Sequence, residues 1–145
     1  MTDVPAPEVD VWTPIGPIAI NWSGGSSTGV LFHIAIPVSN PSVIYVSSKT
    51  GGVWASSDHG ATWRAASGDL PSLVVFGLAV DAAAAEHLYV VLGGAGVYES
   101  KDAGGSWAKV GAPPGLPSDV TDLIVDPSNG LRLYVRAQNG IYRSG

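Results

Sequence analysis

Short apolar runs recur along this chain, separated by polar breaks rich in Gly, Pro, Ser, Asn and Asp, and the runs themselves repeat. Ile44-Tyr45-Val46 returns as Leu88-Tyr89-Val90 and as Leu133-Tyr134-Val135, so the tyrosines stand 44 and then 45 residues apart. Gly52-Val53-Trp54 returns as Gly96-Val97-Tyr98 and Gly140-Ile141-Tyr142, and Ile34-Ala35-Ile36 as Leu78-Ala79-Val80 and Leu123-Ile124-Val125. Three anchors thus agree on one period of about 44 residues, the span of one four-stranded propeller blade.

The interior of each repeat reads as strands. Leu31–Ile36, Val43–Ser47 and Gly52–Ser56 are short β-rich runs, and between them lie Ser39-Asn40-Pro41, Lys49-Thr50-Gly51 and Asp58-His59-Gly60. In the third repeat Asp126-Pro127-Ser128-Asn129-Gly130 is expected to separate the first two strands. No window keeps a 3.6-residue apolar pattern for three turns, and Ala82–His87 has room for one helical turn at most. The expected fold is therefore all-β: three four-stranded propeller blades at about 30–63, 74–107 and 119–145.

A more specific motif occurs twice. Ser56-x-Asp58-x-Gly60-x-Thr62-Trp63 and Ser100-x-Asp102-x-Gly104-x-Ser106-Trp107 lie 44 residues apart, in register with the repeat. Each resembles the Asp-box, or bacterial neuraminidase repeat, found in sialidases, xyloglucan-hydrolysing propellers, sortilin-type receptors and a photosystem assembly factor. The resemblance runs from Trp12 to the C-terminus. It implies that these ten residues are structural, at the turn between the third and outermost strands, with the Trp packed beside the next blade. The local physics agrees, because an Asp carboxylate can accept N–H groups across a turn and Gly tolerates positive φ. Function varies widely among such proteins, so the resemblance implies a fold and leaves the activity open.

The third repeat stops at Ser144, where a third box would begin, and Trp12 stands where Trp63 and Trp107 end their boxes. Residues 9–15 are accordingly expected to form an outer strand that completes the last blade, preceded by an extended or disordered tail at 1–8. Three blades are too few for a ring. The expectation is a homodimer giving six blades with twofold symmetry. Three copies giving nine blades, or a piece of a longer propeller, are the alternatives.

Composition narrows the partners. Seven Lys and Arg against twelve Asp and Glu give a net charge of −5, and the cations are scattered, which argues against nucleic acid. No apolar run reaches membrane-spanning length, and the polar, Pro-rich first eight residues do not read as a signal peptide. The resemblance nonetheless leans towards secreted or cell-surface bacterial proteins. With no Cys there is no thiolate chemistry, and no cofactor is expected.

Candidate ligand contacts fall on loops opposite the Asp-boxes. The loops entering the inner strands are Gly16–Val30, Ala66–Leu73 and Gly111–Asp119, and the first carries about seven extra residues including Asn21 and Trp22. An indole beside small polar groups suits a sugar, although it equally suits packing. His33, Gly77 and Asp122 occupy equivalent inner-strand positions, as do Phe32, Phe76 and Thr121. Lys49, Arg136, Gln138 and Asn139 sit in turns between second and third strands, while His59 and His87 are expected to face solvent. Sialidase chemistry would need three suitably placed arginines, and of Arg64, Arg132, Arg136 and Arg143 the first and last adjoin box positions. The expected function is a non-catalytic module that forms a ring and binds a ligand, a glycan or another protein. A ligand-free scaffold is the alternative, and the remnant of a glycoside hydrolase comes third.

Overall fold

The computed structural model describes residues 13, 15–16, 20–22, 25–27, 30–110 and 119–145, with 20–22 and 25–27 described by backbone alone. A hairpin of β1 (Ile20–Trp22) and β2 (Gly25–Ser27) comes first. One meander follows, of β3 (Leu31–Ala35), β4 (Ile44–Ser48), β5 (Gly52–Ser56) and β6 (Arg64–Ala65). The next comprises β7 (Val75–Val80), β8 (Leu88–Leu92), β9 (Gly96–Ser100) and β10 (Ala108–Lys109). The last comprises β11 (Asp122–Asp126), β12 (Asn129–Ala137) and β13 (Gly140–Arg143). Strands pair in chain order within each meander, always antiparallel, and the described residues contain no helix. Among the described residues the first two blades have four strands and the third has three; of the expected outer strand at 9–15, positions 9–12 and 14 lie outside the described residues.

The register confirms the repeat. Tyr45 pairs with Ala35, Tyr89 with Ala79 and Tyr134 with Ile124, so the three tyrosines are structurally equivalent. The turn expected at 126–130 is shorter than its sequence suggested. Asn129 and Gly130 join β12, and the ladder slips by a bulge between Val125 and Asp126. Asp126 closes this turn by accepting the Ser128 hydroxyl and N–H and the Arg132 guanidinium, which together hold its carboxyl below the usual range.

Alternation along each strand gives every blade two apolar faces, and the core is built where faces meet. Tyr45, Val53 and Ala55 of the first blade pack with Val75, Leu78, Leu88, Val90 and Leu92 of the second. Tyr89, Val91 and Val97 of the second blade pack with Val120, Leu123, Leu133 and Val135 of the third. Each seam is pinned by the repeat tyrosine. Tyr45 Oη donates to the Ala85 carbonyl at 2.9 Å, and Tyr89 Oη to the Gly130 carbonyl at 3.1 Å. Burial, with the charges of Glu99 and Asp81 nearby, pushes the Tyr89 phenol up to about 12.

His87 departs from expectation. The sequence placed it in an exposed turn, but it is buried, with its ring 4.7 Å from that of Tyr89. Its nitrogens lie 3.6 Å from Asp81 Oδ2 and 3.3 Å from Glu99 Oε2, so two carboxylates at the second seam share one imidazole. His59 is exposed, as expected.

Both S-x-D-x-G-x-[ST]-W turns, the ones that resemble the Asp-box, close by the same bonds. Asp58 Oδ1 accepts the Thr62 N–H at 2.8 Å and the Ser56 hydroxyl at 2.7 Å, and Oδ2 accepts the Thr62 hydroxyl at 2.6 Å. Asp102 takes Ser106 and Ser100 in the same way. The Ser56 and Ser100 hydroxyls also accept the Gly60 and Gly104 N–H groups. The turn carries two successive left-handed residues, His59 and Gly60 in one box and Ala103 and Gly104 in the other. Gly104 has a second constraint, because a Cβ there would strike the Ala66 carbonyl. The box tryptophan faces the preceding blade, which corrects the expectation that it packs beside the next one. Trp107 Nε1 donates to the Ala66 carbonyl of the first blade at 3.1 Å.

Hydrogen bonds from Thr62 and Ser106, first from their hydroxyls, lower the Asp58 and Asp102 carboxyls to about 2 from an ordinary 3.8. Since the folded values lie below the unfolded one, this contribution is complete above about pH 4 and is lost as pH falls through about 2. Asp102→Asn should therefore be less stable than the parent near neutral pH, with the gap closing between about pH 4 and pH 2 in urea titrations. A gap that stays constant down to acid would show that the charge contributes nothing.

Candidate functional site

Strand register fixes two ends for the blade stack. At one end Ile44 pairs with Ser56, and the Asp-box follows; at the other Leu31 pairs with Ser48 and Ser48 with Gly52. A groove of about 320 Å³ opens at this second end, lined by Phe32, His33, Lys49, Val75, Phe76, Thr121 and Arg136. All three blades contribute to it. The volume sits at the small end of the range for ligand pockets.

The phenylalanines are there because the inner strands bulge. The ladder slips between Leu31 and His33 and again between Val75 and Gly77, so Phe32 and Phe76 are the extra, unpaired residues of two equivalent bulges. Both rings are exposed apolar surface at the groove. In the third blade the equivalent Thr121 donates its N–H to the Arg136 carbonyl at 2.8 Å. A Cβ on Gly93 would meet the Phe76 ring at 2.7 Å, so the turn after β8 is kept bare where that ring lies over it.

Charge gathers beside the rings. His33 pairs with Ser47 and Asp122 with Arg136, at matching positions on the first and third blades. His33 Nε2 lies 3.7 Å from Asp122 Oδ1, and Arg136 Nη2 lies 3.9 Å from Asp122 Oδ2. His33 Nδ1 and the buried Ser47 hydroxyl share a hydrogen bond at 3.2 Å, which sets the ring plane. The equivalent position on the middle blade is Gly77, packed closely against the third. A Cβ there would meet Leu123 N at 3.1 Å, Asp122 Cα at 3.2 Å and Val91 Cγ2 at 3.3 Å.

Of the residues singled out from sequence, His33, Lys49, Asp122 and Arg136 converge here. Gln138 and Asn139 occupy the turn between β12 and β13 at the same end but do not line the groove. The Gln138 N–H bonds Asp119 Oδ2, and Asn139 Oδ1 accepts the Tyr142 hydroxyl. Asn21 and Trp22 lie in β1, where Asn21 pairs with Ser26 and Trp22 with Gly25; their side chains lie outside the described residues. The entering loop expected at Gly16–Val30 contains this hairpin. Phe32, Phe76 and Thr121, equivalent inner-strand positions outside the expected ligand contacts, line the groove as well. The available signal was an aromatic residue at the mouth of an inner strand in two repeats of three.

Among the described residues no group of three or more His, Cys, Asp or Glu is placed to hold a metal ion. Arg64 bonds the Ala103 carbonyl on the Asp-box side, away from the groove.

No protein-family model and no curated protein matches the chain. Solved structures do. An ancestral GH74 enzyme matches with a TM-score of 0.65 at 23% identity, over 88% of this chain and 15% of its own. A GH74 enzyme of Niastella koreensis gives 0.60 at 22% identity, over 79% and 21%. YCF48 bound to D1 peptide gives 0.64 at 15% identity, over 81% and 38%. The chain therefore spans well under half the length of each of these neighbours, and the likeness is one of fold: stacked β-propeller blades.

Gly77→Ala tests how tightly the second seam is closed. The new methyl meets backbone on β11, which cannot swing aside, so the variant should lose about 1–3 kcal/mol in urea unfolding. A loss under about 0.5 kcal/mol would mean that the seam yields freely.

Proposed function

We propose that this chain is a non-catalytic propeller module that binds a glycan on the face opposite its Asp-boxes. The observation that carries the reading is the groove at the mouths of the inner strands, where two bulged phenylalanine rings stand beside Lys49, His33 and Arg136. Apolar sugar faces stack on aromatic rings, and sugar hydroxyls or carboxylates accept from fixed cationic donors. Lys49 and Arg136 favour a sugar chain that bears acidic groups. A structural neighbour at 21% identity is the GH74 xyloglucanase from Xanthomonas campestris, which by its name acts on xyloglucan and lends the class support.

The same geometry argues for binding without chemistry. Glycoside hydrolysis ordinarily needs two carboxyl groups flanking the scissile bond. Among the described residues the lining contains none, and Asp122 behind it faces His33 and Arg136. A protein-segment ligand is the second reading, favoured by the likeness to YCF48 bound to D1 peptide.

Calorimetric titration with neutral xyloglucan fragments and with uronic-acid oligosaccharides tests the proposal. Binding of the acidic sugars should weaken at least tenfold in Phe32→Ala and in Arg136→Ala, and should be unchanged in Lys101→Ala on the Asp-box face. Absence of any sugar binding overturns the glycan reading. Capture of a peptide by the same groove would move it to the second.

A further inference from the structure

We infer that the open faces of the first and third blades are one interface, closed by a second copy of this chain. The inference does not depend on the ligand proposed above. It rests on repeat positions that are buried inside the chain and bare at its two free faces.

On the side of each blade that faces the following one, Val53 and Val97 are 0% and 2% exposed, whereas the equivalent Ile141 of the third blade is 77% exposed. On the side that faces the preceding blade, Leu78 and Leu123 are 5% and 3% exposed, whereas Ile34 of the first blade is 66% exposed. The residues are apolar in all six cases. Ile141 and Ile34 differ only in having no neighbouring blade over them among the described residues. They belong to the two surfaces that meet, by repeat symmetry, at each seam already formed.

Two kinds of hydrogen bond, one closing each blade's outer strand and one crossing to the next blade, have counterparts that are unfilled among the described residues. Ala66 N–H donates to the Val53 carbonyl and Val110 N–H to the Val97 carbonyl, both at 2.9 Å. The Ala66 carbonyl in turn accepts Trp107 Nε1 from the following blade. Ile15 takes the role of Ala66 on the first blade: its carbonyl accepts Trp63 Nε1 at 2.6 Å, and its side chain lies where a Cβ on Gly60 would fall, as Ala66 does for Gly104. Ile15 is thus seated as the exit of a fourth strand whose own blade lies on the far side of Ile34. The third blade is the one that has three strands among the described residues, and its Ile141 carbonyl is the counterpart of Val53 and Val97. Seating Ile15 of a second copy there gives it the N–H bond that Ala66 and Val110 make. Tyr134 likewise stands where Tyr45 and Tyr89 send their hydroxyls to the next blade, and Pro41 holds the carbonyl equivalent to those of Ala85 and Gly130.

Two copies joined this way at both junctions form a ring of six blades, with each free face used once and no strand edge left open. The complementary surfaces are both on this chain, which is why a second copy is the occupant proposed. Light scattering on the chain at about 50 µM should give twice its 14.8 kDa mass. Ile141→Asp should return the mass to that of one chain with the strand circular-dichroism signal retained, while Lys101→Ala stays at two. Should Ile141→Asp not fold, amide exchange on the unaltered chain serves instead: the Arg143 amide, which corresponds to that of Ala55 paired with Arg64 in the first blade, should be protected at about 50 µM and lose at least tenfold of that protection on dilution. A single-chain or three-chain mass overturns the inference. So does an Ile141→Asp variant that keeps the doubled mass, or protection at β13 that does not depend on concentration.

Discussion

A sheet that is apolar on both faces has no stable existence alone, and that constraint shapes this molecule. The middle blade shows it most clearly: Leu88, Val90 and Leu92 are turned towards the first blade, and Tyr89, Val91 and Val97 towards the third. Each such side chain gains roughly 1.5–3 kcal/mol on leaving water, and no single blade can supply the cover for itself. The core is accordingly a pair of seams, not a centre. The polar atoms at the seams are handled in the same repeating way, with a tyrosine hydroxyl and a tryptophan N–H each reaching a carbonyl of the adjoining blade. These bonds add direction to an attraction that has none, and so set how far one blade is rotated against the next.

The Asp-boxes do a different job, and do it locally. The Ser, Asp and Thr side chains of the motif bond one another and the N–H groups of their own turn, so the turn is held from within, and only its tryptophan reaches outside. What it contributes to the seam is position. By fixing two left-handed residues in succession, it aims the closing tryptophan back at the preceding blade. Direction could not be read from the motif, because S-x-D-x-G-x-T-W states which atoms can bond and says nothing about which neighbour lies behind.

That distinction runs through everything the sequence did and did not reveal. Period, strand order and the structural role of the boxes were legible because they are repeated, and repetition survives as pattern. Departures from repetition were harder. The bulges that expose Phe32 and Phe76 insert one residue without altering the alternation on either side. The hairpin at Ile20–Ser27 sits in a segment with no counterpart in the other repeats. His87 looked like a turn residue among alanines, and its burial comes from Asp81, Glu99 and Tyr89, which only the fold assembles around it. The candidate groove was half visible: His33, Lys49, Asp122 and Arg136 carry recognisable chemistry, whereas Phe32 and Phe76 showed in the sequence only as equivalent inner-strand positions.

The two ends of the stack differ in how freely they can vary. At the Asp-box end each position answers to a hydrogen bond in its own turn and to the blade behind, so little can change. At the other end one repeat position carries His33, Gly77 and Asp122 in successive blades, and another carries Phe32, Phe76 and Thr121. The glycine of the first set lies against the third-blade backbone at Asp122 and Leu123, and His33 of the first blade reaches Asp122 of the third beside it. Divergence among equivalent positions is therefore coordinated across blades. A surface that merely shed solvent would have no need of that coordination; a surface that positions charges and rings relative to one another would.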